Sequence, residues 1–145
     1  MAFSFEAALG KTDIFAKVNP AHLSKFAEIV SPQTYIEGQV VTHQGDLGTG
    51  LYIITKGKVD VIANQGESNE VQIATLGEGG MFGDMALLLE QPRSSTIVAT
   101  EATECFVLHR ADFKRLAMEN PEVLWNMLEI MAERVTRLDE ELTSD

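Results

Sequence analysis

Apolar and polar residues follow two different spacings along this chain, and the change between them predicts where strands and helices lie. The middle of the chain carries short apolar or alternating runs that are rich in β-branched residues, as is typical of β-strands. Ten of the eleven glycines fall between Gly38 and Gly83, where they would form the turns between strands. The predicted strands are residues 34–41, 51–57, 58–64, 71–77, 94–100 and 104–110. Short strands at such intervals indicate a β-sandwich or barrel.

Both ends of the chain carry helical signals. Asn19 followed by Pro20 is a typical helix start, because asparagine caps the first amides and proline suits the first turn. The same pair recurs as Asn120 and Pro121, after a short helix predicted over residues 110–118. The sequence therefore predicts helices on both sides of the β region.

The helix that begins at Pro121 carries an apolar seam whose members alternate four and three residues apart. This is the a/d spacing of a coiled coil and predicts a parallel homodimer, in which Arg134 would face Asp139 of the second chain. Trp125 and Met127 lie beside the seam and are expected to pack inward. The alternative is that the seam itself packs on the β region of the same chain. The seam residues are Leu124, Leu128, Met131, Val135, Leu138 and Leu142.

Length and charge limit the classes of protein to consider. A chain of 145 residues suits one globular domain with its own core, so residues 1–145 are predicted to form a single domain. The net charge of −11 argues against direct nucleic-acid binding, which needs concentrated Lys and Arg. With a single cysteine, Cys105, and no apolar run long enough for a bilayer, the expected location is the cytoplasm, away from membranes.

Catalytic and metal sites find little support in the sequence. His22, His43 and His109 lie far apart and lack the spacing of metal ligands, so no metal is expected. Ser94 and Ser95 have no histidine nearby in the sequence to act as a base. We expect no enzymatic activity, a metal-dependent jelly-roll enzyme being the weak alternative.

Residues 82–99 carry the most specific pattern in the chain. Gly83 lets the backbone approach an anion closely, and a short apolar helix starting there would offer free amides to it. Arg93 follows with a guanidinium that can grip two phosphate oxygens. No other lysine or arginine occurs between Lys58 and Arg93, although six carboxylates do. The alternative for Arg93 is an ion pair with Glu90 or Asp84.

This run resembles the phosphate-binding cassette of cyclic-nucleotide-binding domains, which occur in bacterial catabolite activators, cyclic-nucleotide-dependent kinases and gated channels. The order and separation of glycine, helix and arginine agree with that cassette. One position departs from it: Asp84 stands where the family has a glutamate that hydrogen-bonds the ribose 2′-hydroxyl. The matching residues are Phe82, Gly83, Asp84, Met85, Ala86 and Leu87, then Pro92, Arg93, Ser94, Ser95 and Thr96.

The resemblance implies an α+β, mainly β fold: a jelly-roll (double-stranded β-helix) barrel over residues 31–110. N-terminal helices would occupy residues 1–30 and two C-terminal helices residues 111–143, the last one long. A short phosphate-cradling helix would interrupt the barrel. No output domain is expected after Leu142, so the chain is either a stand-alone sensor or the sensor part of something longer.

The function implied by the resemblance is a sensor for a cyclic nucleotide, cAMP with cGMP as a close competitor, and no further cofactor. Phosphate binding would fall to Arg93 and Gly83, the amides of residues 84–87, and the hydroxyls of Ser94 and Ser95. Leu138 and Asp139 would meet the base, and occupancy would rearrange the C-terminal helices and so act on an effector protein that the sequence does not identify. The alternative is the same fold without nucleotide binding, acting as a dimeric interaction module.

Overall fold

The computed structural model describes residues 4–143, apart from the side chain of Asp13, and divides them between a β unit and a helical unit. The β unit comprises Val30–Phe113, and the helical unit comprises the described residues up to Ile29 and from Lys114 onward. The single-domain interpretation of the sequence stays a prediction.

Eight strands form two antiparallel four-stranded sheets in the β unit. One sheet has the order β1-β8-β3-β6 and the other β2-β7-β4-β5. The predicted mainly β, jelly-roll fold is confirmed, as two sheets rather than a closed barrel. The strands are β1 (Ser31–Tyr35), β2 (Val40–Thr42), β3 (Gly50–Lys56), β4 (Val59–Ala63), β5 (Val71–Leu76), β6 (Met81–Phe82), β7 (Thr96–Ala99) and β8 (Thr103–His109).

The core of the β unit lies between its two sheets. Ile54 and Cys105 come from one sheet, Val59 and Ile97 from the other, and all four are almost completely buried. Burial raises the pKa of the Cys105 thiol to about 11, so this side chain serves as a small apolar core residue.

Two strand predictions need correction. Residues 34–41, expected as one strand, are divided between β1 and β2, because Gly38 adopts a left-handed conformation (φ +85°) and turns the chain between the two sheets. The two-residue β6 was not predicted, since its pairing with β3 is a long-range contact that leaves no periodic signal in so short a segment.

The helical signals at both ends are borne out. The Asn19 side chain accepts a hydrogen bond of 2.9 Å from the Ala21 amide at the start of α2, and α4 begins at Pro121 as expected. None of the helices in residues 4–143 combines the length and apolar character needed to cross a bilayer. The helices are α1 (Phe5–Gly10), α2 (Pro20–Ala27), α3 (Arg110–Glu119) and α4 (Pro121–Thr143), with a 3-10 helix at Asp13–Phe15.

One face of α4 packs within the helical unit. Val123, Met127 and Ile130 are buried on it, as was expected for Met127. The expectation that Trp125 packs inward is wrong: its side chain is 64% exposed. At about 100° per residue, Trp125 points roughly 200° away from Val123 and so lies on the opposite face of the helix.

Candidate anion-binding cleft

A cleft of about 290 Å³ in the β unit contains most of the residues that the sequence singled out. We call it the arginine cleft. Phe82 and the eight predicted phosphate-site residues line it with the exception of Leu87, because the Leu87 side chain is 2% exposed and belongs to the core. The predicted residues that line the cleft are Phe82, Gly83, Asp84, Met85, Ala86, Arg93, Ser94 and Ser95.

Arg93 is a half-buried cation in this cleft. Its Nη2 atom donates a hydrogen bond of 3.3 Å to the Gly50 carbonyl, and its guanidinium carbon lies 5.5 Å from the centre of the Tyr52 ring. Burial lowers the pKa of Arg93, while the neighbouring Tyr52 raises it in smaller measure. The group is therefore partly desolvated yet stays cationic, since arginine titrates far above neutral pH.

The alternative of an ion pair for Arg93 finds no support in the structure. Glu90 pairs instead with Arg110, and the Asp84 carboxylate accepts a 2.9 Å hydrogen bond from the Met85 amide. Within residues 4–143, no carboxylate lies within ion-pair distance of Arg93. Most of its N–H donors are therefore available to a ligand.

Two glycines allow the cleft to form around the guanidinium. Gly83 has φ +84°, and a Cβ there would lie 2.5 Å from both Nη1 of Arg93 and the Gly50 carbonyl oxygen. A Cβ on Gly48 would lie 2.9 Å from the Ala86 Cβ. Real Cβ atoms do not approach other atoms so closely, so any larger residue would displace the arginine or the turn that faces it.

Backbone hydrogen bonds fix the corner that carries Arg93. The Arg93 amide donates to the Asp46 carbonyl over 2.7 Å, and the Gly45 amide donates to the Arg93 carbonyl over 2.9 Å. A third bond of 3.0 Å joins the Gly48 amide to the Gln91 carbonyl. The loop between β2 and β3 therefore holds the arginine corner in register through backbone hydrogen bonds.

The segment expected to be a short helix is a 3-10 helix of four residues, Asp84–Leu87. Two of its amides, which the resemblance would offer to a phosphate, already donate within the turn. The Met85 amide bonds the Asp84 carboxylate, and the Ala86 amide bonds the Gly83 carbonyl over 3.0 Å. Among the described residues that line the cleft, Arg93 is thus the only cationic side chain.

The sequence analysis did not identify the residues on β3, and just before it, that contact or enclose the Arg93 side chain. Gly48 precedes β3, and Gly50 and Tyr52 lie on it, more than forty positions from Arg93. The sequence indicated only Gly48 and Gly50, which belong to the closely spaced glycines around the start of β3. Nothing near Tyr52 in the sequence indicates that its ring would meet an arginine.

The remaining candidate residues lie on α4 in the helical unit. Leu138, predicted to meet the base, and Asp139 beside it are both exposed. Their roles, and that of the seam as a dimer contact, stay predictions. In the part of the chain that the structure describes, no three His, Cys, Asp or Glu side chains come together as a metal site.

Comparison with known proteins identifies a family of nucleotide-binding domains, which is consistent with an anion-binding cleft. The cyclic nucleotide-binding domain model matches residues 32–120. The cyclic AMP receptor protein of Thermus thermophilus is 34% identical over 129 residues, which are 89% of this chain and 60% of that protein. A cAMP-dependent protein kinase regulatory subunit of Blastocladiella emersonii is 28% identical over 133 residues, 92% of this chain and 33% of that one.

Among solved structures, the N-terminal domain of a transcriptional regulator from Streptomyces coelicolor has the same fold. Its TM-score is 0.84 at 24% identity, over 94% of this chain and 96% of that one. This chain spans about three fifths and one third of the lengths of the two relatives above. The matched model covers more than half of the chain and includes the whole arginine cleft. The chain belongs to the cyclic nucleotide-binding domain family.

Proposed function

We propose that this chain is a sensor domain for a 3′,5′-cyclic nucleotide, cAMP in preference to cGMP by a small margin. The observation that carries the proposal is Arg93, a half-buried cation that no described carboxylate pairs with, in a cleft walled by Gly48 and Gly83. A desolvated charge without a partner is costly, and an anionic ligand would offset that cost. The names of the two relatives, a cyclic AMP receptor and a cAMP-dependent kinase subunit, support the choice of ligand.

Each part of the ligand has candidate contacts. The cyclic phosphate pairs with the free N–H edge of Arg93, and Ser94 donates its hydroxyl to a phosphate oxygen. Asp84 stands at the position of the ribose 2′-hydroxyl acceptor, and its carboxylate is one methylene shorter than the family's glutamate. Leu138 and Asp139 face the base, where a carboxylate accepts from the adenine amino group or from guanine N1–H and N2–H. That shared ability is why discrimination between the two nucleotides is modest.

The proposed output is a rearrangement of the C-terminal helices in a homodimer that acts on another protein. The seam of α4 supports the dimer, because Leu128, Val135, Leu138 and Leu142 are between 57% and 83% exposed. The described residues of the chain do not cover these side chains. A parallel second copy would cover them with the same seam.

A thermal-shift and calorimetry panel tests the proposal. Cyclic AMP at a hundred times its dissociation constant should stabilise the fold by about 2.7 kcal/mol, and 5′-AMP should do much less. Arg93→Ala should lose at least about thirtyfold in affinity, since truncating one partner of a desolvated charge pair costs about 2–5 kcal/mol. Lys58→Ala, which removes the same charge from an exposed position, is the matched control.

Two results would contradict the proposal. Unchanged affinity in Arg93→Ala would remove the arginine from the phosphate site. No shift of the wild-type protein with any cyclic nucleotide at millimolar concentration would favour the dimeric interaction module instead. The unfolding midpoint of Arg93→Ala without ligand should stay close to that of the wild type, because the side chain is a functional group of the cleft and not part of the core.

A further inference from the structure

We infer that Tyr52 is the positioning residue that orients the guanidinium of Arg93 toward the ligand. The inference rests on the function proposed above. Tyr52 lies on β3, and its ring centre is 5.5 Å from the guanidinium carbon, within the range of a cation–π contact. The same strand supplies the Gly50 carbonyl that accepts from Nη2. One strand therefore provides both restraints on the arginine side chain.

Stacking on a ring suits an arginine that has to bind an anion. A guanidinium carries five N–H donors in its plane, and a carboxylate partner would occupy two of them. An aromatic ring restrains the plane of the guanidinium without occupying any of its N–H donors. The one hydrogen bond from the Arg93 side chain within residues 4–143 goes to the Gly50 carbonyl. Tyr52 thus limits the orientations of the group while its remaining donors stay available.

Tyr52 also contacts Phe82, which lines the arginine cleft next to the turn at Gly83. Its ring stacks on that of Phe82, with 4.8 Å between the ring centres and 14° between their planes. The two residues are direct partners in the antiparallel pairing of β3 with β6. Phe82 immediately precedes Gly83, whose backbone packs against Nη1 of Arg93. One ring therefore couples the glycine turn to the arginine corner.

The chain contains a matched control in Tyr35, its only other tyrosine. Both rings are partly buried and pack against the same core cluster from strands of the same sheet. Burial raises the pKa of both hydroxyls, that of Tyr35 to about 12. The Tyr35 ring makes no cation–π contact with Arg93 in the described structure. Loss of either ring therefore disturbs the same core, but only loss of Tyr52 releases the arginine.

Calorimetry with cAMP on the full chain separates the two effects. Tyr52→Leu should bind about twofold to twelvefold more weakly, which is the range expected when binding has to immobilise an arginine side chain that the ring no longer restrains. Tyr52→Phe should recover most of that loss, because the stacking ring remains. Tyr35→Leu should lower the unfolding midpoint without a comparable loss of affinity. The inference is overturned if Tyr52→Leu binds as tightly as the wild type, or if Tyr35→Leu loses as much affinity.

Fluorine NMR gives a second measurement that does not require Tyr52→Leu to fold. Protein labelled with 3-fluorotyrosine should show two resonances, which Tyr35→Phe assigns. Addition of cAMP should shift the Tyr52 resonance, and Arg93→Ala should shift it in the absence of ligand. A Tyr52 resonance that cAMP binding leaves unmoved would overturn the inference. If the wild type binds no cyclic nucleotide, the proposed function fails and the inference with it; if it binds and Tyr52 has no effect, only the inference fails.

Discussion

The arginine cleft and the α4 seam are two regions in which side chains lack the partner that their chemistry requires. In the cleft, a half-buried cation has no carboxylate partner among the described residues, although the chain carries a net charge of −11. On the α4 seam, four large apolar side chains are more than half exposed, although the neighbouring face of the same helix is buried. Singly exposed apolar residues are common, but a contiguous stripe at a/d spacing is not.

The difference between the two regions lies in what would complete them. A small anion would complete the cleft, because backbone hydrogen bonds fix the corner that carries Arg93 and the Tyr52 ring contacts its guanidinium. An apolar surface of similar length completes the seam, and the repeat on α4 is itself such a surface. The cleft therefore predicts ligand chemistry, and the seam predicts assembly. Each can be altered separately.

The largest expected effect is on assembly. Replacing both Leu128 and Val135 by lysine should convert the proposed dimer into a monomer at micromolar concentration. Such a dimer would have to bury four unpaired ammonium groups, each at a cost on the order of several kcal/mol. Thr136→Lys places one lysine on an exposed neighbouring position outside the seam and should leave the dimer intact. Sedimentation velocity measures both, and a wild-type monomer would refute the dimer.

The next effect concerns the wall of the cleft. Gly83→Ala should weaken cAMP binding by more than about thirtyfold, because the new Cβ would lie 2.5 Å from Nη1 of Arg93 and displace it. Left-handed backbone itself costs an alanine about 1–2 kcal/mol. Gly66→Ala isolates that cost, since Gly66 has nearly the same φ (+82°) and open space around it.

Calorimetry and urea denaturation on this pair of variants distinguish strain from displacement. Both should lose stability, and only Gly83→Ala should lose affinity. If Gly83→Ala and Gly66→Ala bind cAMP with equal affinity, the cleft tolerates a Cβ at position 83. The close approach of the Gly83 backbone to Arg93 then has no role in binding.

Local signals predicted much of this fold. The Asn-Pro pairs mark the starts of α2 and α4 because capping and the fixed φ of proline act within a few residues. The cassette was visible for the same reason: its glycine, turn and arginine follow one another closely in the chain. The structure brings these residues to one cleft, as the sequence indicated.

What the sequence did not predict depends on contacts between distant segments. Tyr52 meets Arg93 because β3 pairs with β6 and with β8, and no local pattern encodes that pairing. Trp125 is exposed because the buried face of α4 is centred on Val123 and Met127, which only tertiary packing decides. Composition could not reveal that Glu90 pairs with Arg110, nor that no described carboxylate pairs with Arg93.

A smaller effect is expected at the position where the chain departs from its family. In this structure the Asp84 carboxylate accepts from the neighbouring Met85 amide. Asp84→Glu adds one methylene and should bring the carboxylate within reach of the ribose 2′-hydroxyl. A charge-assisted hydrogen bond contributes about 1.5–3 kcal/mol, so cAMP should bind at least about tenfold more tightly.

The ligand itself provides the control for that prediction. With 2′-deoxy-cAMP, which lacks the hydroxyl, Asp84→Glu should leave the affinity within about twofold of the wild type. A gain of equal size for both nucleotides would place the carboxylate away from the ribose and would weaken the assignment of Asp84.

The smallest effect tests whether an arginine near the cleft is sufficient, or whether it has to be the one that the fold orients. Arg110 is paired with Glu90, an exposed carboxylate, and it does not line the cleft. Glu90→Gln would leave Arg110 without the carboxylate that it pairs with. Because exposed ion pairs contribute about 0.2–1 kcal/mol, the loss of stability in urea should be slight.

Affinity for cAMP at low salt should stay within about twofold of that of Glu67→Gln, which removes the same charge from the exposed loop between β4 and β5. A clear gain in affinity over that control would mean that charge near the cleft outweighs the orientation that Tyr52, Gly50 and Gly83 impose on Arg93.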